Sequence, residues 1–428
     1  MIPLLSRWNR WGSARLPAGQ TRDVTSALLP FLDTPEVVAL TGPRRAGKTT
    51  VLFQIMDLLA ARGVPPSATL HLNLEEPGLS VDLLTAEQGN RLLERAYTVW
   101  RDEIYPKGRG YLFLDEVQRV PGWERWVRAA NEREDLKIFV TGSSSALLSR
   151  ELGTLLTGRH VRFEVMPLRF GEVLRFRGIP APEHAATPEV NHALLGYLRW
   201  GGFPEVVLAQ DDARRELLLR QYFEDLLYRD VGLRHEVRDL PMLRALAVHL
   251  VANTASLTSH QRLAGIFGVS TEKVRTYCGY LAEAFLVGFC PHFSLKTAER
   301  LRNPQKVHAL DPGLRNAVAV SAGEDLGHLA ESAVYGALRP LPPEEPYTWR
   351  GQGEVDLLVR RGPRTAALVQ VCWEGWERPE LRRRELDGLA EAQARFPEAR
   401  ATVVCAAPAE GVVPLWRALL TPEVLLAG

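Results

Sequence analysis

The sequence predicts a multidomain α/β protein whose first part is built on a doubly wound, mainly parallel sheet. Before residue 145, short apolar segments of strand length alternate with helical segments, which is the order that produces such a sheet. Two of the strands end in residues that carry chemistry: the loop 42–49 follows one, and Asp115 with Glu116 follows another. Because ligands bind at the carboxyl ends of the strands in these sheets, both segments are expected at one edge.

Composition and length restrict the class of protein and the number of domains. A chain of 428 residues with 46% hydrophobic and 24% charged residues is typical of a soluble protein with two to four domains. Six Lys and 46 Arg give a net charge of only +1, so a nucleic-acid surface would have to be a local patch. The four cysteines lack zinc-binding spacing and no apolar run is long enough for a membrane span, so we expect a cytoplasmic protein.

The segment "EVVALTGPRRAGKTTVLFQ" contains a Walker A motif in its required setting of strand, loop and helix. Backbone N–H groups of such a loop surround the β-phosphate, Lys48 reaches the β- and γ-phosphates, and the Thr49 hydroxyl holds Mg²⁺. The predicted cofactors are therefore ATP and Mg²⁺. The predicted nucleotide-binding residues are Gly42, Pro43, Arg44, Arg45, Ala46, Gly47, Lys48, Thr49 and Thr50.

The segment "GYLFLDEVQRV" supplies the matching acids. We expect Asp115 to bind Mg²⁺ together with Thr49, and Glu116 to polarise the attacking water as the general base. A later strand, "LKIFVTGSSS", ends in hydroxyl residues, of which Ser143 or Thr141 is expected to sense the γ-phosphate. These hydroxyls could instead only cap the helix that follows.

Arg159 lies between a glycine and an apolar strand-like run, so it could be presented rigidly at a subunit edge. An arginine supplied to a neighbouring subunit's γ-phosphate can raise the rate by about 10³–10⁵. This interpretation predicts a homo-oligomer, for which a hexamer is one possibility. The alternative is an ordinary ion-pairing arginine in an arginine-rich chain.

A set of segments in fixed order resembles the prokaryotic AAA+ ATPases that carry a restriction-endonuclease-like, or PD-(D/E)XK, C-terminal domain. The segments are "GPRRAGKTT", "LFLDEVQRV", "TGSSS", "LLTGR", "MPLRFGEVL", "GGFPEVV", "LLYRDV", "NPQKVHALDPGL", "EVDLLV" and "VVPLWRALL", from about residue 20 to the end. After an N-terminal arm (1–20), the resemblance implies an AAA+ core of RecA-like fold (21–165), a helical lid (166–250), a winged helix-turn-helix (251–318) and a nuclease-like domain (319–428).

The predicted winged helix carries most of the local basic charge. Between 256 and 310, seven basic residues face three acidic ones, and Ser270 is placed to cap the second helix. We expect the second helix, including Tyr277, and the wing 293–310 to contact DNA. A protein-docking lid is the alternative. The predicted DNA contacts are Lys273, Arg275, Lys296, Arg300 and Arg302, and Lys306 adds to the wing's charge.

The C-terminal segment looks like a nuclease site that has lost part of its chemistry. Glu331 and Asp356 occupy positions of metal-binding acids, but the next strand has Gln370 where an acid belongs and Cys372 where a lysine belongs. Neutral amide oxygen binds Mg²⁺ poorly, and a thiol cannot replace an ammonium group. The domain is therefore expected to be degenerate, unless Glu374 or Glu385 substitutes for the missing acid.

The function predicted from these features is ATP hydrolysis coupled to DNA remodelling or translocation, of the helicase or Holliday-junction branch-migration type. Two alternatives stay open. One is a nucleotide-dependent switch that recruits a protein partner in regulation or defence. The other is an ATP-dependent DNA nuclease.

Overall fold

The computed structural model describes residues 1–12, 17–79, 81, 84–133, 135–143, 158–319, 325–339 and 344–426. The chain divides into two compact units, Met1–Met166 and Pro167–Gly428. Among the helices that the structure describes, none combines the length and the apolar character needed to span a membrane.

The first unit is a parallel sheet with helices on both faces. Its strands are β1 (Val37–Thr41), β2 (Thr69–Asn73), β3 (Gly110–Asp115), β4 (Leu136–Gly142) and β5 (His160–Glu164). Its α-helices are α1 (Ile2–Leu5), α2 (Asp23–Leu28), α3 (Lys48–Ala61), α4 (Ala86–Glu103) and α5 (Trp123–Asn131).

The strand order β2-β3-β4-β1-β5 places the strand before the phosphate loop in the interior of the sheet. All four strand pairs are parallel, and register pairs such as Leu40 with Thr141 align the carboxyl ends of the strands. Strands β1 to β4 are almost wholly buried because helices cover both faces, which explains the mainly apolar sequences of β1, β3 and β4. Alternate strand residues therefore contribute to two cores.

Each core belongs to one face of the sheet. On one face, Leu112 and Ile138 pack with Trp100 of α4 and Trp123 of α5. On the other face, β1, β3 and β4 pack against the apolar side of α3. The helix that follows the phosphate loop is thus fixed to the sheet along its length.

The N-terminal segment packs on its own unit through polar contacts. Trp8 donates a hydrogen bond from Nε1 to Glu76 Oε2 (2.8 Å), and Trp11 donates from Nε1 to the carbonyl oxygen of Thr69 (2.9 Å). Asn9 is fully buried and bonds to the backbone of His71 in β2. The segment therefore extends the β2 side of the sheet.

The second unit contains helices followed by two sheets. Its α-helices are α6 (Phe170–Phe176), α7 (Pro188–Trp200), α8 (Pro204–Leu208), α9 (Asp212–Asp225), α10 (Leu240–Ala252), α11 (His260–Phe267), α12 (Thr271–Glu283), α13 (Thr297–Arg302), α14 (Pro312–Val318), α15 (Leu326–Leu338), α16 (Pro379–Arg395) and α17 (Leu415–Leu420), with a π-helical segment at Leu226–Leu233. Its strands are β6 (Ser256–Thr258), β7 (Val287–Cys290), β8 (Gln305–Ala309), β9 (Glu344–Arg350), β10 (Glu354–Arg361), β11 (Arg364–Cys372), β12 (Arg400–Cys405) and β13 (Val412–Pro414).

Helices α11 and α12 form a helix-turn-helix beside a small antiparallel sheet of order β6-β8-β7. The Ser270 hydroxyl accepts from the N–H of Lys273 (3.2 Å), so the predicted cap of the second helix is confirmed. The prediction that Tyr277 faces DNA is wrong. Tyr277 is 8% exposed and belongs to the apolar side of α12, together with Val274, Cys278 and Leu281. The predicted wing also contains a short helix, α13, between β7 and β8.

The C-terminal sheet is mixed, with the order β13-β12-β11-β10-β9. Strands β9, β10 and β11 pair antiparallel, whereas β11, β12 and β13 pair parallel. One side of this sheet packs on α15 and α17, and the other packs on α16 through a second apolar cluster. Asp356 of β10 and Gln370 of β11 lie near each other within this sheet.

Candidate nucleotide-binding site

The loop between β1 and α3 is shaped by three residues with left-handed backbone angles. Gly42, Arg45 and Gly47 have φ angles of 156°, 66° and 98°. A Cβ atom on Gly42 would lie 2.0 Å from the carbonyl oxygen of Val165, so only glycine fits there. The left-handed conformation of Arg45 costs about 1–3 kcal/mol, and such strain is typical of functional loops. Alternating backbone conformations of this kind turn successive N–H groups inward and produce an anion-binding concavity.

Lys48 holds its positive charge inside this loop. Its Nζ atom donates to the carbonyl oxygens of Gly42 (3.0 Å) and Pro43 (3.2 Å), and lies 3.3 Å from Oε1 of Glu116. Only 4% of the side chain is exposed. Since Lys48 also begins α3, its charge adds to the positive helix N-terminus at the same point.

Asp115, at the end of β3, is the centre of a hydrogen-bond network. Its Oδ2 atom accepts from the Thr49 hydroxyl (2.7 Å), and its Oδ1 atom accepts from the Thr141 hydroxyl (2.5 Å). Nε2 of His71 lies 3.7 Å from Oδ2. Burial opposes ionisation, but the interactions with His71, Thr141 and Thr49 outweigh it and hold the pKa of Asp115 below its ordinary value. Asp115 is therefore a carboxylate at neutral pH.

Glu116 is held in place through its backbone and its side chain. Its φ angle of 56° is left-handed, and its N–H donates to the Thr141 hydroxyl (2.8 Å). The amide nitrogen of Gln118 donates to Glu116 Oε2 (2.6 Å) and lies 3.3 Å from Oγ of Ser143. Gln118 thus connects the predicted base to the predicted sensor Ser143, whereas Thr141 positions Asp115 and Glu116.

Three functional residues were missed by the sequence analysis: His71, Gln118 and Arg22. His71 could have been found, because it stands between two leucines in the strand β2, where a buried histidine needs a polar partner. Gln118 lies two residues after Glu116, in the same sequence segment, so it could have been considered as a partner of that acid. Arg22 donates hydrogen bonds to the carbonyl oxygens of Ala46 (2.6 Å) and Met166 (2.8 Å) and so stabilises the phosphate loop. No local sequence pattern indicates this role.

Arg159 lies away from the phosphate loop of its own chain. It directly precedes β5, and its carbonyl oxygen accepts from the N–H of Val37 at the start of β1 (2.9 Å). Because β5 runs parallel to β1, Arg159 lies at the amino end of the sheet, opposite to the loop. Its exposed side chain is 3.5 Å from Glu132. Any contact of Arg159 with a γ-phosphate would therefore involve another subunit.

A second cluster of charged residues surrounds Lys306 of β8. Its Nζ atom lies 2.9 Å from Glu331, 2.7 Å from Glu354 and 2.8 Å from Asp356. We call these four residues the Lys306 cluster. The prediction that Lys306 adds charge to a DNA-contacting wing is wrong, since only 5% of its side chain is exposed. Burial alone would lower the pKa of Lys306, but the carboxylates raise it above the ordinary value, so the group stays charged.

Gln370 and Cys372 take other partners beside this cluster. Gln370 accepts from the N–H of Asp356 (3.2 Å) and donates to Glu385 (2.5 Å), while Cys372 donates to the carbonyl oxygen of Glu374 (3.2 Å). The ammonium group that contacts Asp356 belongs to Lys306 of β8, a strand of the other sheet in this unit. In the described parts of the chain, no three His, Cys, Asp or Glu side chains form a group able to hold a metal ion.

Most of the predicted DNA-contacting residues have partners on the same surface. Lys273 donates to Asp239 (2.6 Å), Arg275 to Glu272 (3.2 Å) and Lys296 to Glu299 (2.9 Å). Arg300 donates to the Thr297 hydroxyl (3.1 Å). A groove of about 570 Å³ runs between the start of α11, the start of α12 and the segment before β8; its lining includes His260, Arg275 and Arg302.

The loop after β1, the buried lysine and the acid pair at the end of β3, with β4 between the two strands, define an AAA+ P-loop ATPase core. Residues 34–174 match the family model described as an AAA domain. Residues 191–325 match a second model, described as a domain of unknown function (DUF8612). The AAA match covers the phosphate loop, both acids and β5.

The chain belongs to the same family as the uncharacterized protein MJ1544 of Methanocaldococcus jannaschii. The two are 32% identical over 366 residues, which cover 82% of this chain and 77% of that protein. An uncharacterized protein of Haemophilus influenzae is 28% identical over 81% of this chain and 85% of its own length. The uncharacterized protein Rv2008c of Mycobacterium tuberculosis is 25% identical over 79% of this chain and 71% of its own length.

Two solved structures show a weak similarity to part of this chain. PCH-2 of C. elegans matches with a TM-score of 0.28 and 14% identity, covering 48% of this chain and 61% of that chain. AMPPCP-bound DnaA from Aquifex aeolicus matches with a TM-score of 0.23 and 13% identity, covering 61% and 86%. At scores this low, the two structures say nothing about the assembly or the substrate of this chain.

Proposed function

We propose that this protein hydrolyses ATP with Mg²⁺ and uses the energy to remodel or translocate DNA. The observation that carries the ATPase part is the connected arrangement of Lys48, Thr49, Asp115 and Glu116 at the carboxyl edge of the parallel sheet. A hydroxyl and an ionised carboxylate 2.7 Å apart fit Mg²⁺, which usually takes one or two protein ligands and completes its shell with phosphate oxygens and water.

Each residue has a distinct role in this proposal. The loop 42–50 binds the phosphates, and Lys48 turns from its present carbonyl partners to the β- and γ-phosphates. Bound Mg²⁺ would neutralise charge between the phosphates, held by Thr49 and Asp115. Glu116 then orients and deprotonates water, and Gln118 holds Glu116 in line with Ser143. Release of Glu116 from Lys48 on nucleotide binding would free its carboxylate for this step.

For DNA, the helix-turn-helix α11–α12 and its three-stranded sheet support a winged-helix assignment. We infer that DNA phosphates lie along the groove lined by His260, Arg275 and Arg302, while Lys273, Lys296 and Arg300 lie on flanking surface. The buried positions of Tyr277 and Lys306 remove them from this interface. DNA must displace the surface ion pairs of Arg275 and Lys296, and exposed pairs of this kind are worth only about 0–1 kcal/mol.

For the C-terminal sheet, we propose a restriction-endonuclease-like fold whose metal has been replaced by an internal cation. Glu331 and Asp356 stand where metal-binding acids would stand, and both contact the Lys306 ammonium group. A divalent ion would have to displace a buried, hydrogen-bonded lysine from these oxygens. The module therefore serves assembly or packing, and cutting is not its function.

The proposal is tested by ATP turnover of the purified chain with no DNA, single strands, duplex, forks and four-way junctions. We expect hydrolysis that DNA accelerates, with the largest effect identifying the preferred substrate. Glu116→Gln should bind ATP yet lose about 10²–10⁴-fold in turnover, because general-base catalysis contributes about that much. Unimpaired turnover in this variant would overturn the assigned base.

A matched pair of variants tests the proposed DNA interface separately from ATP turnover. Arg302→Ala should weaken DNA binding and lower the slope of log affinity against log salt by about 1, as expected for one phosphate contact. Arg383→Ala, on the exposed face of α16, should change neither. If no DNA alters ATP turnover and Arg302→Ala binds DNA normally, the nucleotide-dependent switch with a protein partner becomes the better assignment.

A further inference from the structure

A cavity of about 690 Å³ in the second unit lies between α7, α9, α14 and the start of α15. The described residues that line it include four arginines and one acidic residue, and none of these belongs to the phosphate loop or to the proposed DNA groove. The charged and aromatic lining residues that matter are Arg177, Arg199, Arg215, Arg315, Asp212 and Trp200.

Arg177 is a cation with no acidic partner among the residues that the structure describes. Its guanidinium group makes no hydrogen bond or ion pair with any residue that the structure describes. Burial, and then the charge of Arg215, lower the pKa of Arg177. Gly196 of α7 leaves room for it, because a Cβ atom there would lie 3.3 Å from Nη1 of Arg177. An anion would relieve both the burial and the repulsion.

Arg315 is buried more deeply and is also incompletely paired. Its side chain donates from Nη1 to the Asn316 amide oxygen (3.0 Å), which is a neutral partner. Its Nε atom is buried without a partner, and the residue is 4% exposed. A buried charge with an unsatisfied donor is costly unless a ligand completes its hydrogen bonds.

Asp212, the acidic residue of the lining, is already engaged. Its Oδ1 atom accepts from Arg215 (2.7 Å), and its Oδ2 atom lies 3.9 Å from Arg199. It therefore supplies no charge to Arg177 or Arg315. Among the described residues, no further acidic side chain lines the cavity, so this lining has an excess of positive charge.

The lining also offers flat and apolar surface beside the arginines. The guanidinium groups of Arg199 and Arg215 lie 4.7 Å and 5.8 Å from the centre of the Trp200 ring. Leu195, which lies on α7 like Trp200, is 48% exposed, which is high for a leucine beside a cavity. This wall could receive an aromatic or apolar part of a ligand.

We propose that this cavity binds a small organic phosphate, with its phosphate groups on Arg177, Arg215 and Arg315 and its apolar part on Trp200 and Leu195. Guanidinium groups match phosphate oxygens in pairs, which explains arginines at these positions. The volume lies in the range of about 300–1,000 Å³ that small-molecule sites occupy.

The cavity is lined by helices that also contact the two sheets of the second unit. Leu329, two residues before Glu331 on α15, lines the cavity, and α14 links it to the small sheet that carries Lys306. A bound ligand would therefore bridge the helices before the helix-turn-helix and the helix that enters the C-terminal sheet. This role is independent of ATP hydrolysis at the phosphate loop.

The test uses the full chain carrying Lys48→Ala, which removes phosphate binding at the loop. Titration calorimetry with ADP and with inorganic pyrophosphate should show one saturable site for each, with ADP binding more tightly because of the wall at Trp200. Adding Arg177→Glu should weaken both at least tenfold. Arg175→Glu is the matched control, because Arg175 is exposed on α6 two residues earlier and does not line the cavity.

Three outcomes would overturn the proposal. Affinities that stay within twofold in Arg177→Glu, and in Gly196→Leu as a second variant that fills the cavity, would exclude the site. Equal affinity for ADP and pyrophosphate would exclude the contact with Trp200. Displacement of ADP by duplex DNA, dependent on Arg177, would assign the surface to the DNA backbone instead. Thermal unfolding of each variant checks that the second unit is folded.

Discussion

Replacement of Lys306 by methionine is expected to destabilise the second unit by about 3–5 kcal/mol, the usual cost of removing one partner from a buried ion pair. Methionine keeps a long unbranched side chain but removes the ammonium group from three acidic side chains 2.7–2.9 Å away. Asp356, which is 7% exposed, carries most of the loss, because it becomes a buried charge without a cation. Glu354 is more exposed and can turn to water.

Differential scanning calorimetry measures this loss in the intact chain. We expect the two units to unfold in separate transitions, and MgATP identifies the first unit by raising its midpoint. For a unit of this size, about 2–4 °C is lost per kcal/mol, so Lys306→Met should lower the other midpoint by about 6–20 °C.

Two further variants test whether the loss of the ion pairs in the Lys306 cluster causes the lower unfolding midpoint. Lys296→Met removes an exposed lysine that pairs with Glu299, and should cost less than about 1 kcal/mol. Adding Asp356→Asn to Lys306→Met removes the unpaired charge, so the double variant should lose less than the sum of the single losses. Equal shifts in Lys306→Met and Lys296→Met, or strictly additive losses, would refute the reasoning.

Three other predictions follow from the sites. Arg159→Ala and Lys48→Ala should each abolish most ATP turnover, yet a mixture should recover part of it, measured by phosphate release; no recovery would contradict a role in trans. Thr49→Ala should lose the Mg²⁺ dependence of ATP affinity, measured by titration with and without Mg²⁺. Burial, and then the charge of Asp356, raise the pKa of Glu331 from 4.5 to about 8, so the stability that it contributes is complete below pH 4.5 and is lost as the pH rises through 8. Glu331→Gln should therefore flatten the fall in unfolding free energy between about pH 5 and about pH 9, measured by denaturant titration.

The parallel sheet and its nucleotide site could be predicted because their signals are local. The phosphate loop needs glycines at set spacing, and the acids Asp115 and Glu116 directly end an apolar strand. The structure brings these residues together because parallel strands align their carboxyl ends. Arg22 could not be predicted, since its contact with Ala46 depends on how the chain before β1 folds back.

The Lys306 cluster could not be predicted for a similar reason. Its three acids are 25 to 50 residues away on other elements, and a lysine in a basic segment is normally solvated. Tyr277 is a different case. The buried residues of α12 recur at helical spacing, so counting the apolar positions would have placed Tyr277 on the inner face.

Strand β5 connects Arg159, which would act on the ATP of a neighbouring subunit in a ring, with the phosphate loop that binds the subunit's own ATP. It begins directly after Arg159 and is followed by Val165, whose carbonyl oxygen touches Gly42 of the phosphate loop. At about 3.3 Å per residue, the distance along the strand is roughly 20 Å. If Arg159 contacts the nucleotide of a neighbouring subunit, a change in that nucleotide would be transmitted along β5, which is paired with β1 over its whole length, to the subunit's own phosphate loop. Hydrolysis around such a ring would then proceed in sequence rather than at random.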